Sequence, residues 1–162
     1  MKRIGVISDT HRKAADAYLE EIASRYFRDV DFVIHAGDMV TLDVLDVFVL
    51  MGKEVMAVCG NMDGMDVRHA FPAQRCIEVE GLTIGITHGW GAPSGIRQRI
   101  LGSFKEVDAV IYGHTHEGFS GHESGVFFFN PGSPTGSRFT SPPSLGIIII
   151  HDRSIAGEHI LL

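Results

Sequence analysis

The 162-residue chain has few of the features that mark several large protein classes. It holds only two cysteines, Cys59 and Cys76, each in an apolar, strand-like run and not in a CxxC pair. That excludes a disulfide framework and a cysteine-built zinc site, and the expectation is two buried, reduced thiols. No apolar run approaches the ~20 residues of a membrane helix. Lys2 and Arg3 precede an apolar run, Ile4 to Ile7, that breaks at Ser8-Asp9. This is too short for a signal-peptide core, so the expected location is cytoplasmic, with no membrane partner. Basic residues are outnumbered, 14 Lys and Arg against 20 Asp and Glu, for a net charge of -6. That argues against a broad surface for nucleic-acid backbone, while leaving room for a local positive site that takes a small phosphorylated substrate. There is no G-x-x-x-x-G-K-[ST] phosphate loop, and Gly89, Gly91 and Gly95 miss the dinucleotide spacing.

The chain is 44% hydrophobic, enough for one good core over residues 1–162, whereas two domains would each be small. Its first part alternates strand and helix. Arg3 to Ser8, Asp31 to Ala36 and Glu54 to Cys59 read as buried strands. Between them, Lys13 to Phe27 and Leu42 to Met51 carry apolar residues at helical spacing. This βαβαβ pattern implies parallel strands with crossover helices. The rest is richer in antiparallel pairs. Gln74 to Val79 and Leu82 to Thr87 flank Glu80-Gly81, a hairpin signal. Phe119 to His122 with Val126 to Phe129, and Leu145 to His151 with Ser154 to Leu162, predict two more hairpins. A third helix is predicted over Pro93 to Phe104 and a strand over Asp108 to Tyr112. Gly132 to Pro143 reads as one long loop. The expected fold class is mixed α/β, with two mixed sheets packed together and helices outside.

Nine histidines stand out in this acidic chain. Asp9, Asp38, Asn61, His88 and His114 each lie just past a predicted strand end. Loops at the carboxyl ends of strands gather at one sheet edge, where sites form. One such residue usually serves a turn or a helix cap; five in succession point to a site. Asp9-Thr10-His11 and His114-Thr115-His116 each place ligand types at i and i+2, which extended backbone would aim the same way. Imidazoles, an amide and two carboxylates suit a borderline divalent metal: Mn²⁺ first, then Ni²⁺, Fe²⁺, Co²⁺ or Zn²⁺. Two such ions against two aspartates leave a positive centre that can hold phosphate and ionise a water. One carboxylate must bridge the ions, and Asp38, central in the series, is the natural candidate.

Asp9-Thr10-His11, Gly37-Asp38, Gly60-Asn61, Thr87-His88-Gly89 and Gly113-His114-Thr115-His116 resemble, in order, the motifs of calcineurin-like metallophosphoesterases. The resemblance runs past Pro131-Gly132-Ser133, and the short length is similar to that of the small single-domain, YfcE-like phosphodiesterase branch. It implies one ion held by Asp9, His11, Asp38 and His116, and a second held by Asp38, Asn61, His88 and His114. It implies a catalytic set of Asp38, Asn61 and His88, a metal-bound hydroxide attacking phosphorus in line, and a β-sandwich flanked by helices in four layers. Two positions depart from the pattern. Met62 stands where many monoesterases of the superfamily have a histidine that can protonate the leaving oxygen. General acid help is worth roughly 10²–10⁴-fold, so the expected substrates are small phosphodiesters. Trp90 stands where many members have another histidine; it walls the pocket, stacks on a base or packs in the core.

The remaining candidates have plainer readings. His35 reads as a satisfied core histidine, and His69 as exposed in a polar loop. His122, His151 and His159 have no motif partner. Asp63 is expected to orient the Asn61 loop. Arg12 is a candidate phosphate contact or a solvated cation. The alternatives to a phosphodiesterase are a non-catalytic interaction scaffold on the same fold and a phosphomonoesterase or nucleotide phosphatase. Exposed sheet edges leave a homo-oligomer open.

Overall fold

The computed structural model describes residues 1–136 and 141–162. Apolar strands and their crossovers form first in the chain. β1 (Lys2–Ile7), β2 (Phe32–His35) and β3 (Glu54–Ala57) are joined by α1 (Ala17–Tyr26), and by a 3₁₀ turn, Leu42–Leu45, that runs into α2 (Asp46–Leu50). Then come α3 (Met65–Ala70), β4 (Gln74–Val79), β5 (Leu82–Thr87), α4 (Ile96–Leu101) and β6 (Ala109–Ile111). β7 (Phe119–Glu123), β8 (Val126–Asn130), β9 (Ser144–His151) and β10 (Ser154–Leu161) complete the order.

The strands form two five-stranded sheets, ordered β10-β9-β1-β2-β3 and β4-β5-β6-β8-β7. In the first, β1, β2 and β3 are mutually parallel, and β9 runs antiparallel to β1 and β10. In the second, β5, β6 and β8 are parallel, with antiparallel β4 and β7 at the edges. Burial follows position. β9, inside its sheet, is buried at most of its residues, while the edge strands β10 and β4 alternate.

The two sheets meet through Ile4, Val6, Ile34 and Ile148 on one side and Ile84, Ile86, Ile111 and Phe129 on the other. Leu19, Ile22 and Ala23 of α1 and Phe48 of α2 cover the outer face of the first sheet. Ile96 and Ile100 of α4 cover Val110 and Phe128 on the second. The layers are therefore helix, sheet, sheet, helix, as the sequence predicts.

The differences lie at element ends. The first helix starts at Ala17 rather than near Lys13, because the Asp16 carboxylate accepts the Leu19 N–H (2.9 Å) and caps it. Before it, Arg12 makes a lone β-bridge with Val40. The predicted Leu42–Met51 helix splits into a 3₁₀ turn and a short α-helix, in a stretch whose β-branched Val44, Val47 and Val49 favour helix weakly. The Pro93–Phe104 helix shrinks to Ile96–Leu101, since Gly95 has φ +70° and Gly102 closes the other end. α3 went without a prediction because Val67 is its one buried residue, which leaves no periodic signal; exposed His69 therefore lies on a helix, not in a loop.

All three hairpins occur. Glu80-Gly81, Ser124-Gly125 and Asp152-Arg153 each put both turn residues at positive φ, the type I′ geometry that matches strand twist. Both cysteines are unpaired, but Cys76 is exposed and Cys59 half-buried. The expected burial fails for Cys76 because β4 is an edge strand with one face in solvent. Of the predicted Gly132–Pro143 loop, residues 137–140 lie outside the described residues, and the rest carries no helix or strand.

Candidate metal centre

The parallel ladder of the first sheet does not stop at the strand ends. Asp9 N–H donates to the Gly37 carbonyl (2.9 Å) and His11 N–H to the Asp38 carbonyl (3.1 Å). In the second sheet Gly113 N–H donates to the His88 carbonyl (3.1 Å). The loops after β1, β2, β5 and β6 are thus zipped together, and they bring their polar residues to one place.

The backbone that presents the ligands is not extended. Asp9, His11, Asp38, His114 and His116 all have φ between +47° and +72°, a region costly for residues with a side chain. The i, i+2 pairs therefore point together through left-handed turns, not through the strand geometry the sequence suggested. Close approach also requires glycine. A Cβ on Gly113 would lie 2.7 Å from Asp9 Oδ2, and one on Gly60 would collide with the Asp38 carboxylate.

The donor atoms converge. His116 Nε2 lies 3.2 Å from Asp9 Oδ1, His88 Nε2 3.2 Å from Asp38 Oδ2, and His11 Nε2 3.7 Å from Asp38 Oδ2. His11 Nε2 and His116 Nε2 are 3.3 Å apart. Asp9, His11 and His116 form one group with metal-binding geometry, and Asp9, Asp38 and His88 form another. Asn61 Oδ1 sits 3.2 Å from His114 Nδ1, and the His114 ring stands edge-on to His88 at 5.3 Å. All seven predicted ligands are therefore neighbours. The two groups meet at Asp9, whereas the sequence reading made Asp38 the bridge. Asp38 Oδ2 nevertheless lies between His11 and His88, one from each predicted set.

Each carboxylate has one oxygen occupied and one left for the cluster. Asp9 Oδ2 accepts the Ser8 hydroxyl (2.6 Å) and the His114 N–H (3.1 Å); Asp38 Oδ1 accepts the Met62 N–H (2.8 Å). Asp9 Oδ1 and His88 Nε2 are buried with no hydrogen-bond partner. Leaving such atoms unmatched costs about 1–3 kcal/mol each. A divalent cation between them removes that cost, so the residues present fit a metal. His88 Nδ1 is 2.8 Å from the Ala36 carbonyl and His114 Nε2 is 2.9 Å from the Gly91 carbonyl. A carbonyl only accepts, so His88 Nδ1 carries a proton and leaves Nε2 as the donor atom; His114 lies between two accepting oxygens, the closer Gly91 carbonyl at Nε2 and Asn61 Oδ1 at Nδ1, and a cation shared by Nδ1 and Oδ1 would take the place of that second contact.

The electrostatics agree. Burial disfavours the Asp9 carboxylate, but His11, His116, His88 and the Ser8 hydroxyl together hold its pKa well below the usual range. Burial and the His88 contact act on Asp38 in the same opposed way, with a net lowering. Both stay ionised. Burial pushes His35 down to about 4, so it is neutral. It accepts the Gly37 N–H and contacts the Thr10 hydroxyl, a satisfied buried histidine as expected.

Asp63 supports the site from behind. Its carboxylate accepts the N–H groups of Asp38 (3.0 Å), Val40 (2.7 Å) and Gly60 (2.6 Å), tying the Asp38 and Asn61 loops together. Arg12 pairs with Asp16 at 3.1 Å in a partly exposed i, i+4 contact and does not line the cavity over the cluster. Sequence reasoning missed Asn130 and Ser8. Asn130 donates to the Gly113 carbonyl and the Thr115 hydroxyl, and Ser133 donates to the Asp9 carbonyl. Asn130 gave the same signal as the ligands, a polar residue at a strand end. A cavity of about 230 Å³ opens over the cluster, lined by His11, Asp38, Asn61, Met62, His114, Thr115 and His116.

A helix–sheet–sheet–helix sandwich with carboxylates and imidazoles at its strand ends defines a metal-binding hydrolase. Residues 1–153 match the calcineurin-like phosphoesterase superfamily domain, and the chain belongs to that family. A Methanothermobacter thermautotrophicus protein described as a "Probable metallophosphoesterase" is 39% identical over 144 residues, which is 86% of this chain and 81% of the relative. A solved structure described as a novel archaeal phosphodiesterase has a TM-score of 0.79 at 28% identity, covering 99% of each chain. Vps29 from Entamoeba histolytica, solved in complex with Zn²⁺, has a TM-score of 0.70 at 27% identity, covering 98% of each chain. The protein is a phosphoesterase, and no helix among the described residues is long and apolar enough to cross a membrane.

Proposed function

We propose that this protein is a phosphodiesterase that hydrolyses small phosphodiesters at a centre of two divalent ions, with Mn²⁺ the first candidate. The observation that carries the proposal is the convergence of donor atoms, two of them buried and unpartnered on Asp9 and His88, beside a cavity lined by the other five candidate ligands and by no Lys or Arg. A phosphate entering there finds no cationic side chain of the fixed-charge kind, and the Asp38 carboxylate would repel it. The needed positive charge comes from ions held by the donors.

Asp9, His11, Asp38 and His116 would hold one ion; Asp38, Asn61, His88 and His114 would hold the other. Asp38 is assigned as the bridge from the resemblance of Gly37-Asp38 to the family's motif; its uncommitted oxygen faces His11 and His88, one of each set, and Asp9 Oδ1 faces both sets as well. When bound, a pair of such ions polarises the phosphate oxygens, activates a water and steadies the leaving oxygen. The chain's own residues fix the donors. The Ala36 carbonyl sets the His88 tautomer, the Gly91 carbonyl contacts His114 Nε2, Met62 N–H turns Asp38, and Asp63 locks the two loops. Exposed Met62 lines the cavity with a thioether, which donates no proton to a departing alkoxide. Diesters with good leaving groups fit this arrangement better than monoesters. Hydrolysis of bis-p-nitrophenyl phosphate by Mn²⁺-loaded protein should exceed that of p-nitrophenyl phosphate by at least about tenfold and vanish with chelator. Faster monoester cleavage would assign a phosphatase; metal binding without any turnover would assign a scaffold.

A further inference from the structure

The chain has one tryptophan, and it is not in the core: Trp90 is 45% exposed. A large aromatic gains most from burial, so an indole left in water by a well-fixed loop calls for a reason. The loop is well fixed. Arg99 donates to the carbonyls of Trp90 (3.1 Å), Ser94 (2.9 Å) and Ala92. The next residue, Gly91, gives its carbonyl to the ring of His114. Trp90 is thus one residue from a direct hydrogen bond to a candidate ligand.

Trp90 borders a second cavity, of about 200 Å³, that reaches Asn61 and His88 on the metal side. Arg68 also lines it and donates to the carbonyls of Gly60, Asn61 and Asp63. The volume is below the ~300–1,000 Å³ of pockets that hold a whole drug-sized ligand, and suits one arm of a substrate. It shares Asn61 with the cavity over the cluster and is itself lined by His88, so the two cavities adjoin at the candidate metal centre.

We propose that this second cavity is the specificity subsite for a planar aromatic ester arm, an aryl group or nucleobase, that stacks on Trp90. The proposal rests on the phosphodiesterase reading of the metal centre. A rigid aromatic platform binds ring faces with little regard to ring substituents, so aromatic diesters as a class are preferred over aliphatic ones.

The test uses phenyl phosphate and methyl phosphate, which share the phosphate and differ in the arm. Each is titrated calorimetrically into Mn²⁺-loaded wild-type, Trp90→Ala and Trp90→Phe protein. The wild type should bind phenyl phosphate more tightly than methyl phosphate. Trp90→Ala should weaken phenyl phosphate by about 5- to 150-fold and leave methyl phosphate nearly unchanged, while Trp90→Phe keeps most of the preference. Because Trp90 is the sole tryptophan, wild-type emission should shift with phenyl phosphate and not with methyl phosphate. Equal weakening of both ligands by Trp90→Ala, or an unchanged preference, overturns the subsite. Calorimetry needs no turnover, so the two proposals fail separately. An inert protein with the aryl preference would overturn the phosphodiesterase reading alone, and an active one without it would overturn the subsite alone.

Discussion

Asp38 has one carboxylate oxygen committed to the Met62 amide and one that faces His11 and His88. Asp9 has Oδ2 committed to Ser8 and His114, and Oδ1 buried without a partner. The bridging assignment separates these two residues by experiment. Asp38→Asn should lose both ions and lower activity by at least about 10²–10³-fold, whereas Asp9→Asn should still hold the ion on the Asn61 side. Elemental analysis after Mn²⁺ loading checks this; a reversed result would make Asp9 the bridge. The candidate ligands stood out in the sequence because most are polar residues just past the end of an apolar run, with His11 and His116 two residues further on. Their supports stood out less. Ser8 acts on the Gly132 carbonyl, far away in sequence, and nothing local announces that partner; Asn130 ends a strand as the candidate ligands do, but its position does not name the Gly113 carbonyl as its partner. Trp90 illustrates the limit: its identity was plain, but only the fold shows whether it faces the core or the solvent.

The elements that build the centre are loops pinned in left-handed backbone, more than the strands themselves. Gly113 shows the constraint most simply, because its missing Cβ leaves room for Asp9 Oδ2 and Ser8. Gly113→Ala should push the His114–His116 loop off the cluster and weaken Mn²⁺ binding by about 10–100-fold, as displaced supports of metal ligands do. Calorimetric Mn²⁺ titration reads the effect, and unchanged affinity would show that the loop tolerates a side chain there. Strands and hairpins were readable because period-two runs and two-residue turns are local signals. The late start of α1 was not, since the Asp16 to Leu19 cap and the Arg12 to Val40 bridge decide it; nor was the 3₁₀ break at Leu42–Leu45, since weak helix propensity at Val44, Val47 and Val49 does not fix where a helix splits. α3 escaped because one buried valine makes no pattern.

Across the whole molecule the centre straddles both sheets. Asp9, His11, Asp38 and Asn61 follow strands of the first, while His88, His114 and His116 follow strands of the second. Metal affinity therefore depends on how firmly the sheets pack. Phe129 is fully buried between them and stacks on His159 at 4.8 Å. Phe129→Ala should cost about 3–5 kcal/mol in chemical denaturation, and Mn²⁺ affinity should fall with it. Unchanged metal affinity in the folded variant would mean that each sheet holds its donors independently. Two ions acting together on a phosphodiester are the central proposal. The most direct test is to titrate Mn²⁺ into chelator-stripped protein while following bis-p-nitrophenyl phosphate hydrolysis. Turnover should be absent without metal and reach its plateau at two ions per chain; a plateau at one ion, or no metal-dependent turnover, would contradict it.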